Sequence, residues 1–552
     1  MKSLTGEYIG ETWIKNRFVM APMISNLADP SGLTNNNHIS YLEERALGGF
    51  GLIITEYSYV FMDSAKGSRN EMVIGVSDHI PKLKRLTESI HRHQSKIFLQ
   101  IVHAGGKALS PNNERIIAPS AVDYMGHKPV EMAEEDMEQV RKAFESAARI
   151  ARTANFDGIE IHGAHGYLIQ EFLSPALNTR SDRYGGSFQK RLTFPQEIID
   201  LVRESSAIPV GIRLSLYEDD SDGYDASYGL RVAESLRNID YVHFSAGRLA
   251  PPGSSASFYS DVMHILKKLP RKPKVKTMIV GSMTTPESIE EALKTVDFVA
   301  LGRPALADPF FPSKVFTGNR EIRPCIRCNQ ACRDLSYGEV RCTVNTLTGF
   351  ELTRRRFTGL KGEITIAGGG ISGLEAALKA RESGLKVTIY EREGAIGGDL
   401  RKITDPFKKK EFDRLLTYYE KEIKRLGIEV CLSTEAERAD IFAIPPVNYK
   451  DLPEIAELSI DSNIYKHQDQ ALALADQCTV IMSERSLDSM DRNRQVAYRK
   501  IAESKGIKFV KDLDIEFNVK NYTKNQHDIK SAMEQGLSKL EYYIISNLPD
   551  LS

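Results

Sequence analysis

The chain is 552 residues long and carries 73 Lys and Arg against 74 Asp and Glu, a formal net charge of −1. Charge this balanced argues against a broad nucleic-acid or membrane-binding face and leaves a small molecule as the expected partner. The length allows several average domains, or one large α/β barrel with a companion unit.

The first residues, MKSLTGEYIGETWIKNRF, lack the apolar core of a signal peptide, and no later stretch holds the roughly 18 uninterrupted apolar residues of a spanning helix. A soluble cytoplasmic protein is therefore expected. Up to about residue 310, β-rich apolar runs alternate with helix-like stretches. The runs are RFVMAPM (17–23), LIITEYS (52–58), KIFLQIVH (96–103), GIEIHG (158–163), PVGIRLS (209–215), YVHFSAG (241–247), KTMIVGS (276–282) and FVALGRP (298–304). Between them lie amphipathic segments such as EEDMEQVRKAFESAARIARTAN. This order predicts an α/β fold, a (β/α)8 TIM barrel over residues 1–318, with an open doubly wound sheet as the alternative.

In a barrel, the C-terminal strand ends form the catalytic face. Here they carry Pro22 and Met23, Glu56, Gln100, His103, His162, Arg213, Gly247, Gly281 with Ser282, and Gly302 with Arg303. Gln100 and Arg213 could reach a planar heterocycle, though each alone could equally be a core hydrogen-bonding residue. Gly281, Ser282, Gly302 and Arg303 follow the last two runs, where barrels often hold a phosphate between backbone N–H groups and a cation. A salt-bridge role for Arg303 is the plainer alternative. The fourth run continues as HGAHGYLIQEF, placing His162, His165 and Tyr167 together as either a catalytic cluster or the polar edge of a buried strand.

Four of the six cysteines, Cys325, Cys328, Cys332 and Cys342, fall within one short segment, residues 319–360, which also includes a basic linker. Three thiolates on one loop and a fourth returning can enclose a cubane [4Fe–4S] cluster; a structural zinc is the alternative. Cys431 and Cys478 read as structural. The last unit, 361–552, opens with EITIAGGGISGLEAA, a strand, a G-x-G-x-x-G turn at Gly368, Gly370 and Gly373, and a helix. Glu391 follows a further strand at the spacing of a ribose-binding acid, so a dinucleotide site is expected there.

Taken in order, NRFVMAPM, QIVHAG, HGAHGYLIQEFLSPALNTRSDRYGGSFQKR, VGSMTTPESIEEAL, FVALGRPALADP, CIRCNQAC and AGGGISGLEAAL resemble the iron–sulfur branch of the old yellow enzyme superfamily. That branch includes 2,4-dienoyl-CoA reductase, enoate reductases and trimethylamine dehydrogenase. The resemblance implies FMN at the barrel mouth, a [4Fe–4S] cluster on the four cysteines, and FAD or ADP on the last unit, with Gly398 beside the glycine turn. It places Pro22, Met23, Gln100 and Arg213 at the isoalloxazine, and Gly281, Ser282, Gly302 and Arg303 at the phosphate. It makes His162 and His165 the pair that polarises a substrate carbonyl and Tyr167 the proton donor. The implied activity is flavin-dependent reduction of the C=C bond of an α,β-unsaturated carbonyl compound such as a 2-enoate or enoyl thioester. An amine dehydrogenase and a non-catalytic electron-transfer subunit are the alternatives.

The chain departs from the branch in several places. SAGRLAPPGSS (245–255) has no histidine where the dienoyl-CoA reductase carries one, and Gly106 stands where arginine is common. The C-terminal unit is shortened, with no second glycine fingerprint for NAD(P)H, so a protein electron donor or acceptor is expected. A homo-oligomer is expected as well.

Overall fold

A computed structural model describes the chain apart from residues 63, 109–114, 124–125, 127, 249–256, 319, 334–337, 355, 444–450, 491, 512–516, 518, 522–527 and 548–552. The eight sequence runs each hold one strand of a closed parallel barrel. These are β1 (Phe18–Met20), β2 (Leu52–Ile54), β3 (Lys96–Val102), β4 (Gly158–Gly163), β5 (Val210–Ser215), β6 (Tyr241–Ser245), β7 (Lys276–Val280) and β8 (Phe298–Leu301). Each pairs with the next, and β8 pairs with β1, with Val299, Ala300 and Leu301 opposite Phe18, Val19 and Met20. Closure removes the edges an open sheet would leave, which settles the choice between the two architectures.

Connecting helices form because their apolar residues recur on one face. In the helix Glu134–Thr153 the buried set includes Met137, Val140, Phe144, Ala147, Ala148 and Ala151. Its first turn is acidic, and Asp136 accepts the backbone N–H of Ala133 at 2.8 Å, as the positive helix N-terminus favours. Below the mouth the barrel is apolar. Ile9 and Ile14, from an N-terminal hairpin, plug its base against Val19, Leu52, Phe98, Tyr241, Met278 and Phe298.

One close contact in this interior is decisive. Gly211 sits between Glu160 on β4 and Tyr241 on β6 in the strand register, and a Cβ there would stand 2.0 Å from the Tyr241 ring. Gly211→Ala is therefore expected to destabilise the barrel by about 1–3 kcal/mol through overpacking, read as a lower midpoint in thermal unfolding.

The C-terminal region holds two parallel four-stranded sheets. The first orders β9 (Glu363–Ala367), β10 (Lys386–Tyr390), β11 (Glu429–Cys431) and β12 (Ile441–Phe442) as 11-10-9-12. The second repeats that order with β13 (Glu457–Ser462), β14 (Thr479–Ser483), β15 (Lys508–Val510) and β16 (Val519–Asn521), as 15-14-13-16. The final helix, Ile529–Asn547, returns to the first sheet. Its Met533, Leu537 and Leu540 share an apolar cluster with Leu374, Ala377 and Leu378. Gly536 permits the approach, since a Cβ there would lie 2.1 Å from the Ser372 carbonyl.

The described residues of 321–345 run between the barrel and the first C-terminal sheet and are held on both sides. Val340 donates its N–H to the Ser25 carbonyl at 2.8 Å, while buried Arg323 pairs with Glu375 at 2.8 Å and Arg327 with Glu411 at 3.2 Å.

Candidate active site

Three strand ends of the barrel build the histidine–tyrosine cluster. His162 lies on β4, and the chain then turns sharply, with His165 at φ 62° and Gly166 at φ 72°, into the short helix Leu168–Leu173. That left-handed turn folds His165 back over the strand end. His165 Nδ1 lies 3.3 Å from His162 Nε2, and its Nε2 lies 2.7 Å from Ser245 Oγ on β6. His162 Nδ1 accepts the Ala164 N–H at 3.3 Å, which places the His162 proton on Nε2. Burial, followed by the positive charge of Arg213, pushes both imidazoles well below their ordinary range, so both are neutral donors at physiological pH.

Tyr167 packs edge-on against His162, with ring centroids 4.9 Å apart. Tyr57, from the end of the second run, lies 5.3 Å from the Tyr167 ring. Burial pushes the Tyr167 hydroxyl up to about 12, against which a hydrogen bond from Tyr57 acts. Lys107 stands 5.5 Å from the Tyr167 ring, anchored by the carbonyls of His165 and Arg248 at 2.6 Å each. Gly106 donates its N–H to Glu171 at 2.7 Å.

The barrel layer beneath the cluster is polar on one side and small on the other. Gln100, Glu160, Arg213 and His243 come from β3 to β6, whereas Ala21 and Ala300 lie across the interior. Arg213 reaches over to the Pro22 carbonyl at 3.3 Å. Met23 lies against Gly302, where a Cβ would stand 3.1 Å from its sulfur. Pro22, Met23, Gln100, Arg213 and Gly302 thus converge on one mouth. Gly281 (φ 143°) and Ser282 (φ 53°) form the neighbouring turn, and Arg303 donates to Ser282 Oγ at 3.4 Å. Arg303 also donates to Asn329 Oδ1 at 2.5 Å, joining this end of the mouth to the cysteine loop.

All four clustered cysteines are free thiols. Burial, then the charge of neighbouring sulfurs, pushes Cys328 up to about 12, and burial raises Cys332 and Cys342. The Arg327 N–H points at Cys325 Sγ, 3.4 Å away, and Cys328 Sγ lies 3.2 Å from Thr343 Oγ1. Among the described residues, no three His, Cys, Asp or Glu side chains stand grouped for a metal ion.

In the first C-terminal sheet's glycine turn, Gly368 has φ 108°, and a Cβ on Gly373 would lie 1.9 Å from the Gly368 carbonyl. Glu391 is buried and accepts the N–H groups of Gly369 at 2.6 Å and Glu393 at 2.8 Å. Gly398 faces Gly370, its ideal Cβ 3.3 Å from the Gly370 Cα, while a Cβ on Gly370 would meet open space.

A family model described as NADH:flavin oxidoreductase / NADH oxidase matches residues 8–321. The chain belongs to this family. A model for an NAD(P)-binding Rossmann-like domain matches residues 366–424. An NADH oxidase of Thermoanaerobacter brockii is 34% identical over 460 residues, 79% of this chain and 70% of that protein. A cinnamate reductase of Clostridium sporogenes is 32% identical over 478 residues, 78% of this chain and 71% of that protein. Among solved structures, 2-naphthoyl-CoA reductase in complex with 2-naphthoyl-CoA has a TM-score of 0.87 at 23% identity, covering 98% of this chain and 99% of that one. Histamine dehydrogenase from Rhizobium sp. 4-9 has a TM-score of 0.82 at 20% identity, covering 98% and 92%. Identities this low speak for the fold alone, and that likeness extends through both C-terminal sheets.

As a member of this flavin oxidoreductase family, the barrel is an FMN site, and its mouth fits that cofactor. Gln100 Oε1, Arg213 Nε and His243 Nε2 are fully buried without partners, the pattern of polar atoms awaiting a polar ring. Tyr57, Lys107, Glu160, His243 and Ser245 were not singled out by the sequence reading. Glu160 and His243 share the inward parity of His162 and Ser245, two residues along the same strands, and that was the available signal. Of residues 245–255, where a further histidine was sought, 249–255 lie outside the described residues.

Proposed function

We propose that this flavin oxidoreductase reduces the C=C bond of an α,β-unsaturated carbonyl compound at the barrel mouth. The observation that carries the reading is the packing of two neutral histidines and a protonated tyrosine over the buried polar layer. The cinnamate reductase relative supports it, since cinnamate is such a compound. FMN, when bound and reduced, supplies hydride to the β-carbon of the alkene.

The residues of this chain do the rest. A carbonyl oxygen entering between His162 and His165 would replace their 3.3 Å mutual contact: His162 offers its Nε2–H directly, and His165 offers an Nδ1–H once its proton shifts from Nε2 and the Ser245 hydroxyl turns to donate to that nitrogen. Negative charge develops on that oxygen during reduction, and removing one comparable donor elsewhere costs about 3–4 kcal/mol. Tyr167 then protonates the α-carbon as general acid. Arg213 and Lys107 add positive potential to the mouth, which favours a carboxylate or thioester over an ammonium and speaks against amine oxidation.

In the same reading the four cysteines, whose sulfurs lie near enough to raise one another's thiols though not drawn together as a ligand set, would hold a [4Fe–4S] cluster, and Arg303–Asn329 ties their loop to the turn of Gly281, Ser282 and Gly302 that would take the FMN phosphate. The amide directed at Cys325 Sγ is the kind of bond that tunes such clusters. Gly368, Gly370, Gly373, Glu391 and Gly398 form the cradle for FAD or ADP. Such a cluster would pass electrons from a protein carrier to the flavin, since the second sheet has no glycine turn for NAD(P)H after β13, where Asn463 and Ile464 lead directly into a helix.

Anaerobic stopped-flow mixing tests the reading. A 2-enoate or enoyl thioester is expected to reoxidise the photoreduced flavin; reduction of the oxidised flavin by a methylated amine, with no response of the reduced flavin to enoates or enones, would overturn it.

A further inference from the structure

The buried layer beneath the histidines contains a carboxylate that the proposed reaction does not use. Glu160 is 0% exposed, yet its two oxygens receive Gln100 Nε2 at 2.6 Å, Tyr241 OH at 3.0 Å and His243 Nδ1 at 3.0 Å. Burial alone would push its carboxyl up, but His243, Arg213 and these bonds hold it below the ordinary range. Glu160 is therefore an anion surrounded by donors, at a depth where an unpaired charge would be untenable.

An ionised carboxylate only accepts, and this decides the state of its neighbours. Gln100 must turn its NH2 end toward Glu160, which leaves Oε1 facing away, buried and without a partner. Burial pushes the His243 imidazole below its ordinary range and keeps it neutral, so its one proton sits on Nδ1 toward Glu160 and Nε2 is left as a buried acceptor, also without a partner. Tyr241 reaches Glu160 only because Gly211 lies between them, where any Cβ would strike its ring. The arrangement thus spans β3 to β6 and rests on a glycine in the middle of a buried strand.

We infer that Glu160, clamped by Tyr241 and His243, is a positioning residue that fixes the Gln100 amide with its carbonyl oxygen toward the FMN site, and holds a negative charge beside that site. The inference rests on the FMN reading of the barrel. Its consequence is selectivity for a donor: Oε1 of Gln100 accepts, so the group it meets must present an N–H, as the N3 position of an isoalloxazine does. A second consequence is electrostatic, because a nearby anion opposes the addition of electrons to the cofactor.

Glu160→Gln tests both, in holoprotein reconstituted with 15N-labelled FMN. The new amide can donate to Gln100, so Gln100 is free to turn its NH2 end toward the N3–H group. The expected results are an upfield move of the N3–H resonance, an FMN dissociation constant about tenfold larger for the lost hydrogen bond, and a more positive midpoint potential. Tyr241→Phe retains the carboxylate and the Gln100 bond and is expected to keep the native N3–H resonance. A Glu160→Gln holoprotein with native resonance and potential would overturn the inference alone, as would equal changes in both variants. If Glu160→Gln fails to fold, the wild-type spectrum decides: a hydrogen-bonded N3–H supports the inference, and one exchanging freely with water overturns it. Wild-type protein that takes up no FMN would overturn the cofactor reading and this inference with it.

Discussion

Tyr167→Phe is expected to lower the rate of alkene reduction about 10²- to 10⁴-fold, the usual contribution of a positioned general acid, while FMN content and the rate of flavin reduction stay unchanged. The separation follows from where Tyr167 sits. Its ring fills a space bounded by His162, Tyr57 and Lys107, and a phenylalanine ring preserves all of that packing. Only the hydroxyl is lost. That hydroxyl stays protonated at every pH used in an assay, because burial pushes it up to about 12. The same shift makes the phenolate left after proton transfer a strong base, so reprotonation is rapid and the Tyr57 hydrogen bond eases the intervening state. Single-turnover measurement of flavin reoxidation by an enoate reads the step directly. A rate within threefold of wild type would mean that another group protonates the α-carbon.

The architecture was legible because each barrel strand is a buried β-rich run ending in a glycine or a polar residue, a period that solvent-facing structure does not imitate. Gln100 and Arg213 were found as polar residues in the C-terminal halves of such runs, near the strand ends. Glu160 and His243 were not, since they lie inside runs where a polar residue reads as an interruption. Their meaning depends on which face of the strand points inward, and that is fixed only when the barrel closes. Tyr57 follows Glu56 at a strand end, but nothing local says that it will meet Tyr167, which is 110 residues further along the chain.

The second C-terminal sheet was half visible. Strand, helix and strand around Thr479–Val510 match the alternation in the sequence, but β13 reads ELSIDS, with polar residues at alternate positions, and lacks the glycine turn that would have marked it. Without a glycine turn the local signal is weak, while the apolar cluster of Leu458, Ile460, Ala471, Val480 and Met482 holds the sheet together. A parallel layer of this kind therefore forms without a nucleotide turn, because its strands are held by packing alone.

The histidines should behave as one unit. His162→Ala and His165→Ala are each expected to reduce kcat/KM for an enoate by about 10²- to 10³-fold, the loss seen when one donor to a developing oxyanion is removed. The double variant should be much less impaired than the product of the two. His162 Nε2 faces His165 Nδ1, and His165 is held in turn by Ser245, so losing either one also releases the orientation of the other. The sign of the pH dependence separates this arrangement from one in which a charged imidazole binds the substrate. Both pKa values lie well below 6.5 because burial and the charges of Arg213, with Lys107 nearby, disfavour the imidazolium. Neutral donors are then fully present at pH 6.5 and above, and lost only as the pH falls through the depressed folded-state values. Activity limited by this pair should be level from pH 6.5 to 8, and the ring C–H resonances of His162 and His165 should not move in that interval. A rise in kcat/KM as the pH is lowered from 7.5 to 6 that disappears in His165→Ala would instead identify a protonated imidazole as the binding form.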